Sequence, residues 1–237
     1  MRFGNVTFVG GRWFELHEPI RPGDEIEARE QILVPYAKTG RTGTMVFEVR
    51  RLTYHNQRGH TVATIETSTV HRQIVAVAAA DAVPPDDTDA THLPTGQGRL
   101  EDIAVGDEFH GVWVVTKQQV AAYQALGRTT PASPAANYFL DEVAASERGL
   151  DRPIAQGTLG AAVAIRLVTD HIGPRGWVKS FDASYRRPIL HGDRLRALAL
   201  VTDIVGPVIH FDLHLENEAG QRPIQAVVQC ELHTPHA

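Results

Sequence analysis

Three groups of side chains in this sequence are spaced for chemistry. His210, Asp212 and His214 alternate along a run whose other positions are Phe211, Leu213 and Leu215. Two histidines flanking an aspartate can bind a metal. A period of two with apolar alternates is also what a half-buried strand shows on its solvated face, and this second reading is favoured. No metal site is expected. Arg186 and Arg187 form a cationic pair able to grip a phosphate, or simply to end a strand in water. Cys230 is the single cysteine; it lies in the strand-like run 224–232 and reads as a small buried residue rather than a nucleophile. Gly10-Gly11 lacks phosphate-loop spacing, and no Gly-x-Ser-x-Gly elbow of an α/β-hydrolase occurs.

The elements that must position such residues are mostly strands. Residues 6–17, 25–36, 45–54 and 61–71 are rich in aromatic and β-branched residues and read as extended. A polar, glycine-bearing loop, 37–44, and the turn His55-Asn56-Gln57-Arg58-Gly59 separate them. The composition of 78–98, with Pro84-Pro85-Asp86-Asp87, is that of a linker. A strand is then expected over 108–115. Thr116 can cap a short helix, 117–126, and 135–148 reads as a second helix ending at Gly149. The clearest helix is 157–171, small and apolar with Leu159, Ala162, Val163, Ile165, Leu167 and Val168, stopped by Gly173-Pro174. A helix that apolar belongs inside a sheet. From Trp177 the chain returns to strands.

With 237 residues, 43% apolar and 22% charged, the chain can bury a sizeable core as one large domain or two modest ones. A net charge of −5 with scattered arginines argues against nucleic acid. No run approaches the roughly 20 apolar residues that span a bilayer. The first residues lack a signal-peptide pattern, and the lone cysteine suits a reducing compartment, so a cytoplasmic protein is expected.

A motif recurs. Pro19-Ile20-Arg21-Pro22-Gly23-Asp24-Glu25-Ile26 and Pro188-Ile189-Leu190-His191-Gly192-Asp193-Arg194-Leu195 share the pattern P-I-x-x-G-D-x-[IL], 169 residues apart from Pro19 to Pro188. Proline ends one strand and Gly-Asp turns the chain into the next. Gly59 and Gly220, each between two long strands, repeat at a separation of 161, the difference falling to the longer loop around Gly40-Arg41-Thr42-Gly43. Two ordered anchors indicate an internal duplication. The expected units are 1–77, a linker at 78–99, and 100–237, with a helix only in the second.

A long apolar helix followed by an antiparallel meander resembles the hotdog fold, a curled sheet around one helix. The segment from Gly10-Gly11-Arg12-Trp13-Phe14 through Asp24, with Gly40 to Val49, is similar to the FAS1-like dehydratase N-terminal half of double-hotdog proteins in the MaoC-like (R-specific enoyl-thioester hydratase/dehydratase) family. Arg152-Pro153-Ile154-Ala155-Gln156-Gly157-Thr158-Leu159 looks like that family's R-P-I-A-H-G-x-L entry to its central helix. The resemblance spans nearly the whole chain. It implies an α+β fold, a double hotdog whose first unit lacks the central helix.

It also implies the addition or removal of water across the 2,3 bond of an acyl thioester, with CoA or phosphopantetheine present only as part of the substrate and no separate cofactor. Such a site needs an acid/base pair and donors for the thioester oxygen. Gly157, at a helix start, can supply a backbone N–H for that oxygen, or can merely permit close packing. The family's Asp and His fall in a G-D-x-N-P-x-H pattern. Aligned from the left, Arg128 and Ser133 stand at those positions; aligned from the right, Pro134 and Phe139 do. Neither register restores the dyad.

Asn137, Tyr138 and Asp141 are the polar candidates to replace it, and each could equally be a cap or loop residue. Gln156, Thr158, Arg128, Ser133, Arg186 and Arg187 are candidate substrate contacts, the last two toward a CoA or carrier phosphate. Three readings follow: a divergent hydratase or dehydratase, including one for a bulky acyl group; a non-catalytic subunit or acyl-binding module needing a dyad-bearing hotdog partner; and a hotdog thioesterase. A start upstream of Met1 would also account for the missing helix. Homo- or hetero-oligomers with hotdog subunits are expected, with no nucleic acid and no membrane insertion.

Overall fold

Arg21-Pro22-Gly23-Asp24 and Leu190-His191-Gly192-Asp193 make the same turn. In each, the aspartate N–H donates to the carbonyl three residues back, at 3.0 and 3.1 Å. Its Oδ2 in return accepts that residue's N–H, at 2.8 and 2.9 Å. The intervening glycines hold φ values of 90° and 84°, where a β-carbon would be strained. Ala104-Val105-Gly106-Asp107 repeats the geometry a third time. The later hairpins match as well. Asn56 Oδ1 accepts N–H groups from Arg58 and His60, and Asn217 Oδ1 accepts them from Ala219 and Gln221. These pairs stand 161 residues apart, as Gly59 and Gly220 do, so the duplication extends to individual hydrogen bonds.

The computed structural model describes residues 6–40, 43–72, 103–126 and 137–232. The expected linker at 78–99 lies outside them, as do Arg128 and Ser133. The first half forms β1 (Val6–Leu16), β2 (Ile26–Ile32), β3 (Tyr36–Gly40), β4 (Gly43–Asn56) and β5 (Thr61–Arg72). The second opens with β6 (Glu108–Val114), α1 (Lys117–Leu126), α2 (Glu142–Ser146), β7 (Ile154–Ala155) and α3 (Gly157–Ile172). It continues with β8 (Gly176–Tyr185), β9 (Ile189–Leu190), β10 (Arg194–Val205), β11 (Val208–Asn217) and β12 (Ile224–Leu232).

Among the described residues ten strands make one antiparallel sheet in the order β2-β4-β5-β1-β8-β12-β11-β10-β6, with β3 beside β4; β7 and β9 pair separately. The halves meet where β1 pairs with β8. There Trp13 lies opposite Asp182, 169 residues away, which is the spacing of the repeat. Each strand is thus opposite its own duplicate, and a local two-fold axis passes between Trp13 and Asp182. The seam is tight: a β-carbon on Gly11 would sit 2.8 Å from the Ala183 carbonyl oxygen.

Gly160, Ala161, Ala164, Leu167, Val168 and Ile172 are buried, an i, i+3, i+4 stripe that turns one face of α3 onto β6, β8, β10, β11 and β12. On its open side Arg166 and Asp170 pair at 2.8 Å. Among the described residues the first half has no helix, and β2 is exposed along its length. No helix among them is long and apolar enough to cross a membrane.

Three local expectations need correction. The strand expected over 25–36 ends at Ile32, because Pro35 cannot donate to the ladder, and the chain restarts as β3. The loop expected over 37–44 is largely a hairpin arm, in which Lys38 pairs with Met45 and Thr39 with Thr44. The helix expected over 135–148 shrinks to α2, since the Asn137 carbonyl closes a turn with Leu140 and Asp141 and Asp141 then caps the helix.

The candidate active site at the start of α3

Side chains directly opposite one another across a sheet share a face. One row runs Leu52, Ile65, Phe14, Phe181, Val228, Phe211, Val201 through β4, β5, β1, β8, β12, β11 and β10. Phe14 stacks on Phe181 with ring centroids 5.5 Å apart. Under α3 the row is sealed, with Phe181, Val228, Phe211 and Val201 at most 3% exposed. Beyond the seam no helix among the described residues covers it, and Phe14, Ile65 and Leu52 are only half-buried. On β2 the position opposite Leu52 is Glu30, which pairs with Arg50 at 3.2 Å, and Ile26 and Ile32 flank it on the same face, 38% and 57% exposed. An apolar trough therefore leaves the sealed core, crosses β1, β5 and β4, and ends at the charged Glu30–Arg50 pair, with no helix over it among the described residues.

The N-terminus of α3 stands beside the seam. Gln156, at the cap position, makes no side-chain capping bond, and its Oε1 is buried without a partner. Helix starts leave backbone N–H groups unsatisfied and carry the positive end of the helix dipole. Gly157 lies against the Tyr185 ring, and a β-carbon there would meet Cδ2 at 2.7 Å and Cε2 at 3.1 Å. The close-packing reading of Gly157 is thereby realised, and it leaves the N–H reading intact. Burial pushes the Tyr185 phenol up to about 12; the Arg12 guanidinium pulls against this and Tyr123 adds to it. The Tyr185 Oη, like Gln156 Oε1 and Gln124 Oε1, is buried without a partner.

The remaining candidates separate. Asn137 Oδ1 accepts from Gln124 Nε2 at 2.9 Å, tying the chain before α2 to α1. Asp141 Oδ1 accepts the Ala144 N–H at 2.7 Å as the α2 cap, with the residue exposed. Tyr138 meets Phe8 edge-on at 6.2 Å and Phe139 at 4.2 Å, with the Arg148 guanidinium 4.8 Å over its ring. Burial raises its phenol pKa as well, against a lowering by Arg148. Thr158 is half-buried in the first turn of α3, next to Gly157. Arg186 and Arg187 point into solvent, the Arg186 N–H donating to the Pro223 carbonyl at 2.8 Å. His210, Asp212 and His214 lie opposite the buried Phe211, Leu213 and Leu215, and the described residues contain no cluster able to hold a metal. Residue type alone did not single out Tyr185, Gln124 or Arg12. One signal existed: Tyr185 is 169 residues after Leu16, so the helix-bearing copy adds a hydroxyl where the other copy is aliphatic.

Residues 5–65 match the FAS1-like, dehydratase domain region family. Comparison with curated proteins gives no match. Among solved structures, a MaoC-like dehydratase superposes with a TM-score of 0.72 at 15% identity, covering 98% of this chain and 77% of that one. The chain has the double-hotdog fold of the MaoC-like dehydratases. HtdX from Mycobacterium tuberculosis gives 0.61 at 17% identity, covering 97% and 79%. The (R)-hydratase from A. caviae involved in PHA biosynthesis gives 0.50 at 21% identity, covering 56% of this chain and 98% of that one. That share corresponds to about one of the two repeated units.

Proposed function

We propose that this chain is an acyl-thioester hydratase or dehydratase, handling water at the 2,3 bond of a bulky acyl group carried on CoA or an acyl carrier protein. The observation that carries the reading is the apolar row running from beneath α3 onto sheet that no helix covers among the described residues, with the start of α3, which lacks a side-chain cap, against the same strand β8. An acyl chain laid along Leu52, Ile65 and Phe14 and then along β8 from Phe181 to Tyr185 would bring its thioester to Gly157. There a first-turn N–H can stabilise negative charge developing on the carbonyl oxygen. The match of residues 5–65 to a dehydratase region and the fold shared with MaoC-like dehydratases support it.

A second reading has its own observation. Asp141 Oδ1 is used as the α2 cap, the Tyr138 ring packs against Phe8 and Phe139, and Asn137 carries no ionisable group, so these three residues do not form an acid/base pair resembling the Asp/His dyad. In this reading the acid/base pair comes from a partner hotdog subunit and the present chain supplies the acyl trough. The purified chain, assayed alone on 2-enoyl-CoA thioesters by loss of the conjugated-thioester absorbance, separates the two. Turnover by the chain alone is the expected result. Turnover only after a dyad-bearing subunit is added would replace it with the second reading. Thioester hydrolysis without hydration would favour a thioesterase.

A further inference from the structure

We propose that the Tyr185 hydroxyl is a catalytic donor in this site, hydrogen-bonding the thioester oxygen beside the Gly157 N–H. The inference rests on the hydratase reading and adds a residue to it. Four observations converge on this hydroxyl. The Tyr185 ring lies against Gly157 so closely that a β-carbon there would touch Cδ2 at 2.7 Å, and the hydroxyl is two bonds beyond Cε2. Its Oη is buried with no partner, although a phenol in an apolar site ordinarily finds one. Phenylalanine would fill the same space without leaving a hydroxyl unsatisfied, so packing alone does not explain the tyrosine. Finally, the Arg12 guanidinium, from the other half of the molecule, acts electrostatically on this phenol and would favour negative charge beside it.

The step balances without further reagents. The water oxygen bonds to C3 and the C2=C3 electron pair moves toward C1, placing negative charge on the thioester oxygen. Tyr185 donates its O–H to that oxygen and keeps its proton, as a phenol with a pKa near 12 does at neutral pH. C2 then takes up a proton equivalent to the one water released, and the carbonyl reforms. Dehydration is the reverse.

The test compares wild type with Tyr185→Phe on a 2-enoyl-CoA thioester, following kcat, KM and thermal stability together. The expected result is a kcat lowered by about 100-fold, the usual effect of removing one oxyanion donor, with KM little changed. The variant should melt at the same or a higher temperature, since an unsatisfied buried hydroxyl is gone. A variant with wild-type kcat would overturn the assignment and leave the hydratase reading standing. A variant that loses kcat in proportion to lost thermal stability would also overturn it, by showing a structural role. A wild type without turnover would overturn the hydratase reading and this assignment with it.

Discussion

Asp141 is the residue whose two readings separate most simply. As the α2 cap it accepts the Ala144 N–H through Oδ1, a task asparagine performs equally well. Asp141→Ala should cost about 1 kcal/mol in chemical denaturation, whereas Asp141→Asn should keep both stability and activity. A loss of turnover in the asparagine variant at unchanged stability would make Asp141 an acid or base after all. Gly157 yields a second expectation. An alanine there drives its β-carbon into the flat of the Tyr185 ring, which cannot swing aside as a flexible chain end could. Gly157→Ala should therefore lower kcat by displacing Tyr185, checked in the same thioester assay. At this scale the sequence was partly legible. Gly157 stood out because it opens the apolar helix within the segment 152–159 that resembles the family's R-P-I-A-H-G-x-L motif. Tyr185 did not, because its neighbour across space, Gly157, is 28 positions away in the chain and nothing local marks the contact.

At the scale of elements, signals written in neighbouring residues were readable. Thr116 caps α1, with its Oγ1 accepting the Gln119 N–H while Gln119 Oε1 accepts the Thr116 N–H, both at 3.2 Å. The extent of α3 and the Gly-Asp turns were equally local. What was missed depended on pairing partners. β3 contains lysine and threonine and looks like loop until β4 lies beside it. The β7–β9 pair joins Ile154 with Leu190 and Ala155 with Ile189, 36 and 34 positions apart, and is two residues long on each side. The β1–β8 seam is the element contact on which the trough depends. Gly11→Ala would press a methyl on the Ala183 carbonyl, which is backbone and cannot yield, and should cost about 1–3 kcal/mol in urea unfolding. A variant as stable as wild type would mean the seam is looser than its geometry shows.

At the scale of the whole molecule, the described strands other than β7 and β9 form one sheet, and the pH response should reflect what its helix-bearing half buries. His171, His191 and His214 all have lowered pKa values, chiefly through burial. The Asp107 charge opposes this at His171, while Lys117 adds to it at His191 and Arg222 at His214. Below their ordinary value of 6.5 the unfolded chain takes up protons that the folded chain resists, so stability must fall with pH there. The loss continues until pH passes the lower folded values. At the alkaline end, burial raises Cys230 from 9.0 to about 12 and Tyr185 from 10.0 to about 12. The unfolded chain then ionises first, and stability should decline from about pH 9 upward. Melting temperatures across the range should form a plateau between these limits, and a Cys230→Ala variant should show a shallower alkaline decline. The two repeated motifs thus bracket unlike halves, a sealed core around α3 and, among the described residues, a half-buried apolar row of Phe14, Ile65 and Leu52 without a helix over it. The most direct test of that account is the kcat/KM of the purified chain on two 2-enoyl-CoA thioesters, one short and one with a bulky branched or fused-ring acyl group. The bulky substrate should be preferred by at least about tenfold, the scale on which apolar pockets discriminate. Equal or greater efficiency on the short substrate would contradict it.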